Sequence, residues 1–148
     1  MADSSYKGSC LCAKVKFSVT GFAKKIAHCH CNMCRKFHGA AFGTLADVEG
    51  LKWLSGKERL KDFVAANGTS RTFCSDCGSS LGFRVQGAAL EDIEIAVSTF
   101  DDDIPILIDA QIYTAYKANW CPLMINFQLL KRGVIKYSPT LKTSIKMR

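Results

Sequence analysis

The sequence predicts a mainly β fold on three observations. Apolar and polar residues alternate along several short runs, glycines interrupt those runs at close intervals, and few stretches repeat apolar residues at helical spacing. In "KVKFSV", Val15, Phe17 and Val19 fall on one face of a strand, with Lys14, Lys16 and Ser18 on the other. "AAFGTL" and "LGFRV" are shorter candidates. "DIEIAV" places Ile93, Ile95 and Val97 on one face, and "ILIDAQIY" is a further run. Gly8, Gly21, Gly50, Gly56, Gly68, Gly78 and Gly87 punctuate these segments as hairpin connections do. A turn or two of helix is expected only near 32–38 and 121–126.

With 148 residues, 48% of them hydrophobic and 22% charged, the chain is long enough for one domain with a real core. No run approaches the roughly 20 apolar residues of a membrane-spanning helix. "MADSSYKGSC" lacks a basic region followed by an apolar stretch, which predicts an intracellular, cytoplasmic protein. The formal charge of +7 is unevenly placed. Six of the twenty basic residues and none of the thirteen acidic ones lie in 131–148, leaving fourteen basic against thirteen acidic before them. The organisation expected is therefore a β domain over 1–130 and a basic tail over 131–148. Aromatic residues are not interleaved with the tail's charge as single-strand binding requires, so a nucleic-acid partner is not expected.

Eight cysteines carry the chemistry. In a reducing compartment, closely spaced cysteines point to metal binding before disulfides. Cys10 and Cys12 form C-x-C, Cys29, Cys31 and Cys34 form C-x-C-x-x-C, and Cys74 and Cys77 form C-x-x-C. On a strand, C-x-C would point both sulfurs to one face, and Gly78 suits the turn a C-x-x-C knuckle needs. Cys10, Cys12, Cys74 and Cys77 would make a closed four-thiolate site, with zinc the default metal and structure its role. Cys29, Cys31 and Cys34 then remain as a three-ligand set. An open fourth position is the arrangement that catalysis uses. Closure of this second site by Cys121 or by His38 is the competing arrangement. His28 and His30 alternate with the cysteines and are expected to face away. No βαβ pattern surrounds Cys74 and Cys77, which disfavours a redox role for that pair.

"GSCLCAKVKFSVTG", "HCHCNMCRKFHGAAFGT" and "RTFCSDCGSSLGF", with "STFDDDIPILIDAQIYTAYKANW" further on, resemble the zinc-binding and closing segments of the glutathione-dependent formaldehyde-activating enzyme family, which includes centromere protein V. The resemblance covers roughly residues 6–125. It implies a β-tent fold, shared with a Rab guanine-nucleotide-exchange factor. It also implies two zinc ions: a structural one at Cys10, Cys12, Cys74 and Cys77, and a catalytic one at Cys29, Cys31 and Cys34. The activity it implies is carbon–sulfur lyase chemistry, joining formaldehyde to glutathione and releasing it again. The chain departs from the family at Gln111, where members often carry histidine, and at Ser98, where glycine is usual.

Glutathione carries two carboxylates, and Arg35 and Lys36 directly follow the last cysteine of the three-ligand set, which makes them candidate substrate contacts. Phe37, Phe42 and Phe83 are candidate pocket walls or core. Asp101, Asp102 and Asp103 read as a polar turn, with a general base among them the bolder alternative. The competing function is a non-catalytic, zinc-stabilised module that recruits a protein partner.

Overall fold

The computed structural model describes residues 5–23, 26–108 and 110–123. The basic segment 131–148 and most of the helical turn expected at 121–126 lie outside them. In chain order the strands are β1 (Tyr6–Ser9), β2 (Lys16–Val19), β3 (Gly21–Phe22) and β4 (Ala27–Cys29). Helix α1 (Asn32–His38) follows, then β5 (Gly43–Ala46), β6 (Val48–Glu49), β7 (Lys52–Ser55), β8 (Leu60–Val64) and β9 (Ser70–Cys74). The last strands are β10 (Ser80–Arg84), β11 (Glu94–Ala96) and β12 (Ala110–Ile112). They form a three-stranded sheet β1-β2-β7, a two-stranded sheet β3-β6, and a seven-stranded sheet β12-β4-β5-β11-β10-β9-β8. All pairings are antiparallel except β4 with β12.

The expected alternation in β2 is observed: Val15, Phe17 and Val19 are all fully buried. Phe17 sits edge-on to Phe100 at 5.2 Å and to Trp53 at 5.9 Å, and packs with Val19, Ile93 and Ile95. The small sheet thereby covers part of one face of the large one. Gly8 in β1 is required there, because a Cβ would strike the Phe17 ring and lie 2.5 Å from the Thr99 carbonyl oxygen.

The register of the large sheet gives its two faces different characters. One row runs Thr72, Gly82, Ile95, Ala46 across β9, β10, β11 and β5, and all four residues are buried. The neighbouring row, on the other face, runs Phe63, Arg71, Phe83, Glu94 across β8, β9, β10 and β11. Asp47, one residue past Ala46, continues that row. The second face is therefore polar and aromatic, and it lines a cavity.

Several strands differ from their sequence expectation. Among the described residues of 106–113 only Ala110–Ile112 pair as a strand. Val97 leaves β11 to begin a 3₁₀ turn, Val97–Thr99, fixed by Thr99 Oγ1 donating to the Ala96 carbonyl at 2.7 Å. Residues 121–123 carry no helix. Strands β3, β4, β6, β7, β8 and β9 were not expected; β8 lies at the sheet edge with Phe63 and Val64 each 61% exposed, which removes the in-out pattern that marks a half-buried strand.

Replacing Phe17 by alanine removes a buried ring from the junction of the two sheets. Urea denaturation should show a loss of about 3–5 kcal/mol of unfolding free energy. A loss below about 1 kcal/mol would mean that this packing does not hold the sheets together.

Candidate metal centres

Two cysteine clusters form, each with its sulfurs within 4.8 Å of one another: Cys10, Cys12, Cys74 and Cys77 in one, Cys29, Cys31 and Cys34 in the other. In the first cluster the C-x-C pair does not lie on a strand, as its spacing had led us to expect. Cys10 follows β1, and Cys12 sits in the turn leading to β2. Ala13 takes the left-handed conformation (φ 57°) and donates its N–H to the Cys10 carbonyl at 2.8 Å, so the turn folds back on itself. The Val15 N–H then donates to Cys10 Sγ at 3.3 Å. Cys74 ends β9, and Gly78 at φ 75° closes the second turn by donating to the Cys74 carbonyl at 2.8 Å.

The two turns are tied to each other without help from the sulfurs. The Leu11 N–H donates to Ser79 Oγ at 2.8 Å, and Asp76 accepts from Lys14 Nζ and Arg59 Nη1, both at 2.6 Å. Cys10 and Cys12 sulfurs are 3.4 Å apart, and those of Cys12 and Cys74 4.0 Å. A tetrahedral zinc with sulfur ligands at about 2.3 Å sets sulfurs roughly 3.8 Å apart, so the four fit that ion. The hydrogen bond from Ser79 Oγ, 3.3 Å away, holds the Cys77 thiol down at about 6, which favours the thiolate a metal requires.

The second cluster is built by the strand-to-helix junction. Cys29 ends β4, locked between Ile112 of β12 and Gly43 of β5. Cys31 is the N-cap of α1, and its sulfur accepts the backbone N–H of Cys34 at 3.4 Å. A cap bond from N3 is what an N-cap side chain supplies, and here the cap is also a candidate ligand. Burial opposes ionisation of Cys31, yet the hydrogen bonds from Cys34 carry its thiol below the ordinary value. Burial, and next Cys29 and Cys31, push Cys34 up. Gly39 closes the helix in the left-handed conformation, its N–H on the Arg35 carbonyl.

A cavity of about 490 Å³ opens directly on this cluster. Cys29, Cys31 and Cys34 line it together with Arg71, Phe83 and Glu94 from the polar face of the large sheet. Burial, and next the Asp47 carboxylate, raise the Glu94 carboxyl above its usual range. Among the described residues no histidine, carboxylate or further cysteine joins the three sulfurs.

The sequence profile of the glutathione-dependent formaldehyde-activating enzymes matches residues 5–116, which include both clusters. The chain belongs to that family. It is similar to an uncharacterised lyase of Schizosaccharomyces pombe, with 27% identity over 53% of this chain and 56% of the relative, so the match spans about half of that protein. A crystal structure of a Rhodobacter sphaeroides protein superposes with a TM-score of 0.53 at 20% identity, covering 71% of this chain and 98% of the other. That likeness concerns the fold, and the mainly β expectation holds. The donor sets of this family member are those that bind zinc. No helix in the described residues is long and apolar enough to cross a membrane.

The remaining residues singled out in the sequence of this family member fall as follows. His28 and His30 do face away from the sulfurs. His28 Nδ1 bonds Thr44 Oγ1 at 2.7 Å, His30 Nε2 bonds Gln111 Oε1 at 2.8 Å, and Phe42 packs at a tilt against both rings. Gln111, where the family often has histidine, thus serves as the partner of His30. His38 packs over Gly43 and stays outside the cluster. Arg35 Nη1 donates to the Tyr116 carbonyl at 2.9 Å, Lys36 is exposed, and neither lines the cavity. Cys121 is partly exposed and belongs to neither cluster, so it does not close the second site.

The acidic turn is structural. Asp102 accepts the Lys7 N–H at 2.7 Å, Asp101 accepts the Ser9 hydroxyl at 3.1 Å, and both hold β1. Arg71, Glu94 and Asp47 were missed. The signal available was an arginine inside "SRTFC", a segment otherwise fit for a buried strand.

Gly43 gives a direct handle on the three-cysteine cluster. A side chain there would meet His38 Nε2 at 2.8 Å and Cys34 Cβ at 3.2 Å, pushing α1 away from β4. Gly43→Val should weaken zinc binding at this cluster at least about tenfold in a competition with a chromophoric chelator, with the four-cysteine cluster unaffected. Unchanged affinity would show that α1 does not position a ligand.

Proposed function

We propose that the chain is a zinc-dependent carbon–sulfur lyase that joins glutathione and formaldehyde as S-hydroxymethylglutathione and catalyses the reverse reaction. Family membership and the lyase named among its relatives support a glutathione-related lyase activity. One observation carries the finer reading: the four-sulfur cluster is a complete ligand set, whereas the three-sulfur cluster opens on a cavity. In this reading Cys10, Cys12, Cys74 and Cys77 hold a structural zinc, and Cys29, Cys31 and Cys34 hold a catalytic one. A zinc with three thiolate ligands supplies a Lewis acid with a vacant position that lowers the pKa of a thiol.

The chain's own residues do the rest. Cys31 is fixed by its cap bond and Cys29 by two strand neighbours, so the ligand set is rigid before any substrate arrives. Phe83, Leu45 and Ile112 give the cavity apolar walls that displace water from a reactive aldehyde. The thiol sulfur attacks the aldehyde carbon, a C–S bond forms as the C=O π bond opens, and the proton lost by sulfur ends on the new hydroxyl. No redox partner is needed, and the reverse step returns the same proton. Holding thiol and aldehyde together is the main contribution, because formaldehyde is already strongly electrophilic. A cavity open on the sulfurs favours this reading over a binding module, which requires no such space.

Purified protein should contain two zinc ions per chain. Cys31→Ser should retain its far-UV circular dichroism, hold one zinc and lose catalysed exchange between glutathione and its hydroxymethyl adduct in ¹³C exchange NMR. Cys77→Ser should unfold, since binding of a structural zinc is itself folding free energy. One zinc in the wild type, or equal unfolding of both variants, would refute the division of labour.

A further inference from the structure

Arg71 is the charged group that the fold leaves unsatisfied. It is only 4% exposed, and neither Nε nor Nη1 has a hydrogen-bond partner among the described residues. It also makes no ion pair among them. The other buried cations with an unpartnered nitrogen are engaged elsewhere on the same group: Arg35 bonds the Tyr116 carbonyl, and Arg84 is paired with Asp62. A desolvated guanidinium that feels the Glu94 carboxylate only at a distance, with no hydrogen bond or ion pair to it, is costly to maintain, and such a group in a cavity wall is poised for a ligand.

The fold presents this group deliberately. Arg71 stands between Phe63 and Phe83 in the cross-strand row, and its guanidinium lies 4.4 Å from the centre of the Phe83 ring. The guanidinium packs over the ring with Nε and Nη1 unpartnered among the described residues, and Arg71 lines the cavity shared with Cys29, Cys31 and Cys34. Next in the row come Glu94 and Asp47, which line the same cavity without pairing to Arg71. An arginine followed by two carboxylates is the charge complement of an α-amino acid: carboxylate at one point, ammonium beside it.

The geometry points to Arg71, with Glu94 and Asp47, as the subsite for the zwitterionic amino-acid end of a peptide thiol whose sulfur reaches Cys29, Cys31 and Cys34. This rests on the thiol-lyase reading above and identifies its specificity determinant. The strand order favours a longer thiol over a short one. From β4 to β9 the order β4-β5-β11-β10-β9 is four strand steps, roughly 19 Å on a flat sheet at about 4.8 Å per step. Sheet twist and the arginine side chain shorten that span, but a thiol acid with its carboxylate one or two carbons from sulfur falls short. A γ-glutamyl thiol, with its free amino and carboxylate groups several bonds from sulfur, carries the complementary charges and reaches further than such an acid.

The test uses zinc-loaded protein and titration calorimetry, with cobalt-substituted protein reporting sulfur coordination by its charge-transfer absorption. Arg71→Gln should weaken glutathione binding at least about tenfold while 2-mercaptoethanol perturbs the cobalt spectrum as in wild type, and Arg71→Lys should recover part of the loss. Ligand arms in the wild type stand independently of how the variants fold. γ-Glutamylcysteine should bind like glutathione, and cysteinylglycine, which lacks the γ-glutamyl end, at least about tenfold more weakly. Equal binding of cysteinylglycine and glutathione, or unchanged glutathione affinity in Arg71→Gln, overturns the subsite and leaves the thiol-lyase reading intact. A wild-type cobalt spectrum that responds to no thiol overturns both.

Discussion

Sulfurs at 3.4–4.0 Å cannot all be thiolates unless a cation lies between them, and the fold is organised to keep them that close. Cys12 and Cys74 are 62 positions apart in the chain. Their approach fastens the first hairpin to the end of β9, joining the small sheet to the large one at a point where few apolar side chains are available. The core around Cys10, Val15, Cys74 and Leu81 is small, and two of its four buried members are cysteines. Hydrogen bonds from Leu11 and the Asp76 ion pairs align the two turns, so metal binding completes an arrangement that the backbone has already prepared.

That division frees the second cluster for chemistry. Because the four-cysteine knot and the Phe17 cluster occupy the covered side of the large sheet, its other face need not be buried. It carries Arg71, Phe83 and Glu94 in one row and ends at the strand-to-helix junction that positions Cys29, Cys31 and Cys34. On the proposed reading, the same sheet separates the part that supplies stability from the part that supplies specificity. A buried arginine without a hydrogen bond or ion pair would be a defect in a purely structural domain; the proposed subsite gives it a use.

Local chemistry was legible in the sequence and register was not. Cysteine spacing alone divided the sulfurs into a set of four and a set of three, because C-x-C and C-x-x-C geometries depend on neighbouring residues only. The alternation around Phe17 and the helix after Cys31 were equally local. What escaped was the content of the cavity. Arg71 meets Phe83 and Glu94 only through pairings of β9, β10 and β11, and no spacing along the chain encodes those contacts. Proximity in sequence directed attention to Arg35 and Lys36, yet the α-helix turns them out of the cavity, Arg35 towards the Tyr116 carbonyl. Cys10 and Cys12 were grouped correctly on the wrong backbone, since a turn with Ala13 at positive φ converges two sulfurs as well as a strand does.

The central claim is that one cluster is closed by protein sulfur and the other completed by a substrate's. X-ray absorption at the zinc edge reads it directly. Seven cysteine sulfurs over two ions should give an average of about 3.5 sulfurs per zinc, rising to about 4 when glutathione is added and the lighter neighbour is lost. An average of 4 before glutathione, or one that glutathione leaves unchanged, would contradict the account.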